Sequence, residues 1–374
     1  MTARQAAEKW TEVKKHGRSW MIPSDTKKPN DPQKSRMPAN SASLSCLLSA
    51  GDRFLPGQEL GDVLQTLETD AFRSQWLGEI AYLRGDFYQG KRMLEAALQD
   101  KSTCICACTL SLVLAICTND FPLYSRIGAL LKRRIEADEE PQIVALAEAA
   151  LATATVSMFA PEMAPGWLKE GDFSLLPTEA LPFALYLRIK YLHNLADYSQ
   201  MFAVAQTALT LLKGKGVVMY IQLLLLCATA SIGLGEKERA RAYLKEALAL
   251  GMPHGFITPF AENIPNLHGL VEECVKEQYP DAYDAVLAQW HETWKNWAMF
   301  HNRFARDNVP LILTLRELRI ATLAATRVPY AAIAEQECLS VGRVRNIIQE
   351  IYDKLSVRSR DKLADLVLWH PKKT

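Results

Sequence analysis

Long apolar runs are scarce in this 374-residue chain. The longest, Val217 to Leu226, is interrupted by Gln222 and falls far short of the roughly 20 residues that span a bilayer. No membrane partner is expected. The first twenty residues are polar and basic, without the apolar core of an export signal. Without an export signal, the eight cysteines are expected as reduced thiols of a cytoplasmic protein, and they include no C-x-x-C pair. Cys104, Cys106 and Cys108 form a C-x-C-x-C run, but its flanks are apolar and no histidine stands nearby. Small buried thiols of a helix fit that setting better than a tetrahedral zinc set. With only 18 Gly and 18 Pro, collagen-like and low-complexity chains are excluded. No phosphate loop occurs, because Gly214-Lys215-Gly216 lacks both the hydroxyl residue and the spacing. There is no nucleophile elbow and no metal-ligand cluster. The paired carboxylates Glu139-Glu140 and Glu272-Glu273 read as solvated helix surface, and His291 and His301 as structural. An enzyme is not expected, nor any cofactor or metal.

What remains is a globular composition, 49% hydrophobic and 23% charged, with a formal charge of +1. A near-neutral total argues against a nucleic-acid partner until it is divided along the chain. Residues 1–40 hold nine Lys/Arg against four Asp/Glu, a net +5. Residues 41–312 hold 23 against 31, a net −8, and residues 313–374 hold 11 against seven, a net +4. Two basic ends flank an acidic middle, which predicts different partners for the ends and the middle.

From about Leu60 to Leu250 the apolar residues recur at i, i+3, i+4 and i+7, the period of helices. The helices repeat. In Leu77–Leu98, small residues stand at Gly78, Gly90 and Ala97, with a Gly85-Asp86 turn between two helices. In Cys227–Leu250 they stand at Ala228, Ala240 and Ala247, with Gly235 in the turn. Ala196-Asp197-Tyr198 and Asn119-Asp120-Phe121 predict further turns, and Ile143–Phe159 a further helix. This spacing resembles the tetratricopeptide repeat, which implies antiparallel hairpins stacked into a curved solenoid. The alternative is a generic helical bundle. Pro161–Pro182 is expected to interrupt the array as a loop. Residues 251–312 then form a helical connector. Its second helix, Ala282–Arg306, carries Trp290, Trp294, Trp297 and His301 on one face, expected to pack against the last repeat or a partner chain.

Residues 313–374 divide into four short helices. Thr314 and Glu317 suit a capping box for the first. The second covers about Tyr330–Glu337, the third runs from a Ser340 cap to about Leu355, and the fourth covers about Asp361–Trp369. Leu318, Leu323, Ile333, Ala334, Val341, Val344, Ile348, Ile351 and Leu355 are its candidate core. Arg343, Arg345, Asn346 and Gln349 then lie on the outer face of the third helix. Two guanidiniums and two amides suit phosphates and base edges, although taken alone they equally fit a solvated face.

The order Leu-Thr-x-Arg-Glu, Ile333-Ala334-Glu335, Leu339-Ser340-Val341, Val344-Arg345 and Ile351-Tyr352-x-Lys354-Leu355-x-Val357-x-Ser359-Arg360 resembles the LuxR-type helix-turn-helix domain over essentially its whole length. The resemblance implies that the third helix enters the DNA major groove and the fourth supports dimerisation. On that pattern Arg345 replaces the usual groove-facing Lys, Asn346 and Gln349 occupy neighbouring contact positions, and Ser340, Arg343 and Arg360 contact phosphates. Leu315 stands where the family usually has Pro, Arg327 where it has Gly, and Gly342 where Asn is commoner. Ile347 replaces a common polar residue and is expected to make the contact face less polar.

A repeat array and connector ahead of such a domain resemble the carboxy-terminal half of MalT-like regulators, without their nucleotide-binding domain. At the other end, Ala6-Ala-Glu-Lys-Trp10 and Gly17-Arg-Ser-Trp-x-Ile-Pro23 resemble the two ends of a MerR/excisionase-like winged helix whose middle is missing. Residues 1–40 are therefore expected to hold a short helix, a small β-hairpin and a Pro-rich linker. The expected whole is all-α apart from that hairpin. It is expected to regulate transcription as a homodimer on double-stranded DNA, with a protein or small-molecule effector at residues 41–250. The alternative is an interaction scaffold whose terminal helices do not bind DNA.

Overall fold

A computed structural model describes residues 54–137, 140–213, 216–305, 313, 315–355 and 357–367. The amino-terminal helix, hairpin and linker expected in residues 1–40, and the Thr314 cap, lie outside the described residues. Every regular element among the described residues is helical. None of these helices is long and apolar enough to cross a membrane.

A short helix α1 (Leu60–Thr66) precedes α2 (Asp70–Leu83) and α3 (Phe87–Gln99), then α4 (Cys104–Cys117), α5 (Phe121–Glu136) and α6 (Pro141–Ser157). The Pro- and Gly-containing stretch that follows holds one short α-helix, α7 (Gly166–Glu170), between two 3-10 turns, Pro161–Met163 and Thr178–Ala180. The series resumes with α8 (Leu181–Asn194), α9 (Tyr198–Leu211), α10 (Val217–Gly233) and α11 (Lys237–Gly251). Consecutive helices pack on one another, and α4 also packs on α6 and α6 on α8. The two members of a pair differ in burial. All of α4 except Val113 is buried, and α10 is buried except at Tyr220, Gln222 and Gly233. In α3 and α11, by contrast, burial follows one stripe, Phe87, Gly90, Leu94 and Ala97 in the first and Ala240, Leu244, Ala247 and Gly251 in the second. A helix apolar all round needs neighbours on every side, and a striped one can face water on its back.

Four of the turns are built alike. Gly85, Asn119, Ala196 and Gly235 all have positive φ, at 84°, 53°, 56° and 78°. In each, the next residue donates its N–H five residues back: Asp86 to Ala81, Asp120 to Ala115, Asp197 to Leu192 and Glu236 to Ser231. The carbonyls left open at one helix end are thereby satisfied. The same residue starts the next helix. Asp86, Asp120 and Asp197 accept from the N–H three residues on, at 3.0–3.1 Å. One two-residue unit thus closes one helix and opens another.

After α11 the chain turns back to the beginning of the series. The N–H of Ile257 donates to Leu83 O at 2.9 Å, and Thr258 Oγ1 donates to Tyr82 O at 2.6 Å. This lays α12 (Thr258–Asn263) against α2. Helix α13 (Leu270–Gln278) covers α11, and the long α14 (Tyr283–Ala305) packs on α4 and α12. The tryptophan stripe, expected on the last repeat or on a partner chain, reaches further back along this chain than the last repeat. Trp297 Nε1 donates to Ser157 O at 3.0 Å, and Phe300 is enclosed by Phe121 and Tyr124.

The carboxy-terminal helices α15 (Leu315–Ala325), α16 (Tyr330–Gln336), α17 (Val341–Leu355) and α18 (Arg360–Val367) have a second core of their own. Ile320, Ala321, Ala324, Ile333, Val344, Ile348, Ile351 and Leu363 are its centre. Two expectations are corrected. Val341 lies in the first turn with 37% of its surface exposed, outside the core. Ile347 is buried in that core and does not dilute the polarity of the outer face.

Arg327 follows α15 with φ +66°, the conformation that costs a side chain most and glycine least. Its guanidinium pairs with Asp361 at 2.5 Å, but both partners are largely exposed and such pairs stabilise little. Arg327→Gly is therefore expected to stabilise the carboxy-terminal unit by about 0.5–1 kcal/mol in urea unfolding. An unchanged or lowered midpoint would show that the ion pair outweighs the backbone.

Candidate nucleic-acid interface

Helix α17 is oriented by its apolar face. Val344, Ile347, Ile348 and Ile351, at i, i+3, i+4 and i+7, are buried against the other three helices. That spacing forces Arg345, Asn346 and Gln349 outward, and all three are exposed, as is Arg343. Ser340 opens the helix: its Oγ accepts from the N–H of Arg343 at 3.2 Å. It thus caps the helix and stands at its positive end.

The polar face is partly self-paired. Arg343 Nη1 lies 3.4 Å from Glu350 Oε1, and Gln349 Nε2 donates to Asp353 Oδ1 at 3.1 Å. Arg345 and Asn346 have no hydrogen-bond or ion-pair partner among the described residues. Arg360, at the start of α18, is half-buried with its guanidinium 4.2 Å above the Tyr330 ring. Stacking takes the face of the guanidinium and leaves its edge donors for an anion. Five of the six sequence-predicted residues (Ser340, Arg343, Arg345, Asn346 and Gln349) therefore share α17 and its cap. Arg360 belongs to the neighbouring helix.

The opposite side of this unit, where it meets the repeat array, is braced by a pairing within the unit that motif reading did not single out. Glu337, fully buried after α16, accepts from Arg319 at 2.7, 2.8 and 3.1 Å. Arg316 Nη2 adds a bond to the Glu337 carbonyl at 2.8 Å. The Sγ of Cys338, the next residue, donates to Ile232 O at 2.9 Å, in the turn that closes α10. Burial, followed by the charges of Arg319 and Lys190, pushes His193 of α8 well below its ordinary value. Burial, with Arg316 and Arg319, pushes His268 down to about 4. Both histidines are held neutral where the array meets two arginines. The signal in the sequence was weak: a glutamate just after one short helix and two arginines in another, 18 and 21 residues before it. The contact uses α15 and the turn before α17, so the outer face of α17 stays open to solvent.

No group of three or more His, Cys, Asp or Glu side chains suited to a metal occurs among the described residues. Cys104, Cys106 and Cys108 are buried in α4. No known protein family, curated protein or solved structure matches this chain.

Proposed function

We propose that the chain is a DNA-binding transcription regulator. On this reading α15–α18 act as a LuxR-type helix-turn-helix unit, and α2–α11 as a tetratricopeptide-like array that receives a signal. The observation that carries it is the polarity of α17. Apolar side chains at 344, 347, 348 and 351 fix the helix, and the opposite face presents Arg345 and Asn346 without partners. Bidentate guanidinium and amide groups are the usual readers of guanine and adenine in the major groove. Arg343 and Arg360 flank them as phosphate contacts. A symmetric dimer would read half-sites about 34–36 Å apart.

The test is selection of bound genomic fragments by the purified chain, followed by titration of the enriched sequence against random DNA. A single enriched motif is expected. If Arg343 and Arg360 of two protomers neutralise about four phosphates, the salt slope should be about −3.6. Affinity would then fall about 100-fold for a fourfold rise in salt. The pairing of Gln349 with Asp353 and Arg343 with Glu350 favours a second reading, a protein-interaction scaffold whose terminal helices only pack on the array. No DNA affinity at low salt, together with a co-purifying partner, would sustain that reading and remove the first.

A further inference from the structure

A partly open cavity of about 140 Å³ lies within the helix series. Its walls come from α2, α4, α6, α8, α10 and α12, the first helix of each hairpin and the return segment, with α14 closing one side. It is not a dry packing defect. Cavities that stay empty are apolar, and Lys190, Glu262 and Gln222 line this one.

The polar groups divide into met and unmet. Glu262 accepts from the Tyr82 hydroxyl at 2.8 Å and from the Cys117 thiol at 3.8 Å. Lys190 carries three donors and has no hydrogen-bond partner among the described residues. Its side chain is partly buried and lines the cavity. Burial pulls it below its ordinary value, against the attraction of Glu262. The indole N–H of Trp290, another donor-only group on the wall, is buried and unpartnered. The unmet demand is for an acceptor, and a negatively charged one suits an ammonium best. One side of the wall is rich in aromatic rings: Trp294 and Trp297 stack at 5.2 Å, and Tyr186 and Phe159 also line the cavity.

We propose that this cavity binds a small carboxylate with a flat apolar body, the carboxylate on Lys190 and the body against Trp290, Trp294 and Trp297. A site of this volume takes about a single ring, because a cavity of closely similar size admits benzene. The inference goes beyond DNA binding and stands whether or not α17 reads a promoter.

Benzoate and its neutral isostere benzamide are the probes, titrated against the full chain by tryptophan fluorescence and by thermal shift. Benzoate should quench saturably and raise the melting temperature, with benzamide weaker by about tenfold or more, the worth of one charge-assisted hydrogen bond. In Lys190→Met, checked for folding by circular dichroism, that discrimination should vanish while residual benzamide binding persists. Three results would overturn the proposal: no saturable response to benzoate at about 10 mM, equal binding of the amide by the native chain, or undiminished discrimination in Lys190→Met. The comparison of acid with amide needs no variant, so it decides even if the substituted chain fails to fold. No DNA enters the experiment, which keeps its outcome separate from that of the promoter titration.

Discussion

Glu337→Gln is expected to lower the stability of the carboxy-terminal unit by about 3–5 kcal/mol, the cost of leaving a buried charge without its counter-charge. The Glu337 side chain is fully buried and Arg319 is 17% exposed, so water cannot replace the lost partner. Gln keeps the shape and one acceptor oxygen, but it turns two of the carboxylate's contacts with Arg319 and Arg316 into neutral or repulsive ones. A unit of this size has about 5–10 kcal/mol in all, so the loss takes most of its margin. Because the pair lies beside Cys338 and its bond to Ile232, detachment from the array should accompany unfolding. Urea unfolding followed separately through the two halves should split from one transition into two, with the array nearly unchanged. The double substitution Arg319→Met, Glu337→Leu is the internal control. Apolar residues of similar volume commonly replace a buried ion pair without loss, so it should recover most of the stability that Glu337→Gln removes. A loss below about 1 kcal/mol for Glu337→Gln would mean that the pair is solvated in solution and does not brace the unit.

That pair also marks where reading the sequence reaches its limit. The helical class and the hairpin turns were legible, because helical periodicity is local and the turns have a local chemistry. Gly85-Asp86 and Asn119-Asp120 announce a left-handed residue followed by a helix cap, and both form as expected. Ala196 was found only by its offset from the other copies, since alanine does not advertise a positive φ. The outer face of α17 was legible for the same local reason. Ile347 was misjudged because comparison with a family pattern was weighed above the i, i+3, i+4, i+7 spacing that buries it with Val344, Ile348 and Ile351. What stayed hidden is long-range. Tyr82 and Glu262 are 180 residues apart, and Trp297 and Ser157 are 140 apart. Nothing in either segment names the other. The cavity shares that difficulty, since its lysine sits unremarkably within Leu-Arg-Ile-Lys-Tyr-Leu on α8 until six other helices surround it.

Arg345 and Asn346 permit the most direct test of the functional reading, because their removal should cost nothing else. Both are exposed and partnerless on a helix fixed from its other face, so alanine at both positions should leave the melting temperature within the small range of surface substitutions. Against DNA the same change should cost about 1–3 kcal/mol per lost base contact. Together that is a loss of roughly 10²–10⁴ in the ratio of operator to random affinity. Arg343 predicts a different pattern. It is already paired with Glu350, and both are about half exposed, so the pair is weak enough to exchange for a phosphate. Arg343→Ala should weaken operator and random DNA alike and flatten the salt slope by about one unit per protomer. Glu350→Gln should do the reverse, freeing Arg343 and tightening both without altering their ratio. The two signatures separate base reading from phosphate anchoring within a single helix. Unchanged discrimination in the Arg345→Ala, Asn346→Ala chain, measured by fluorescence titration at fixed salt, would move the reading face off α17 even if the protein still bound DNA.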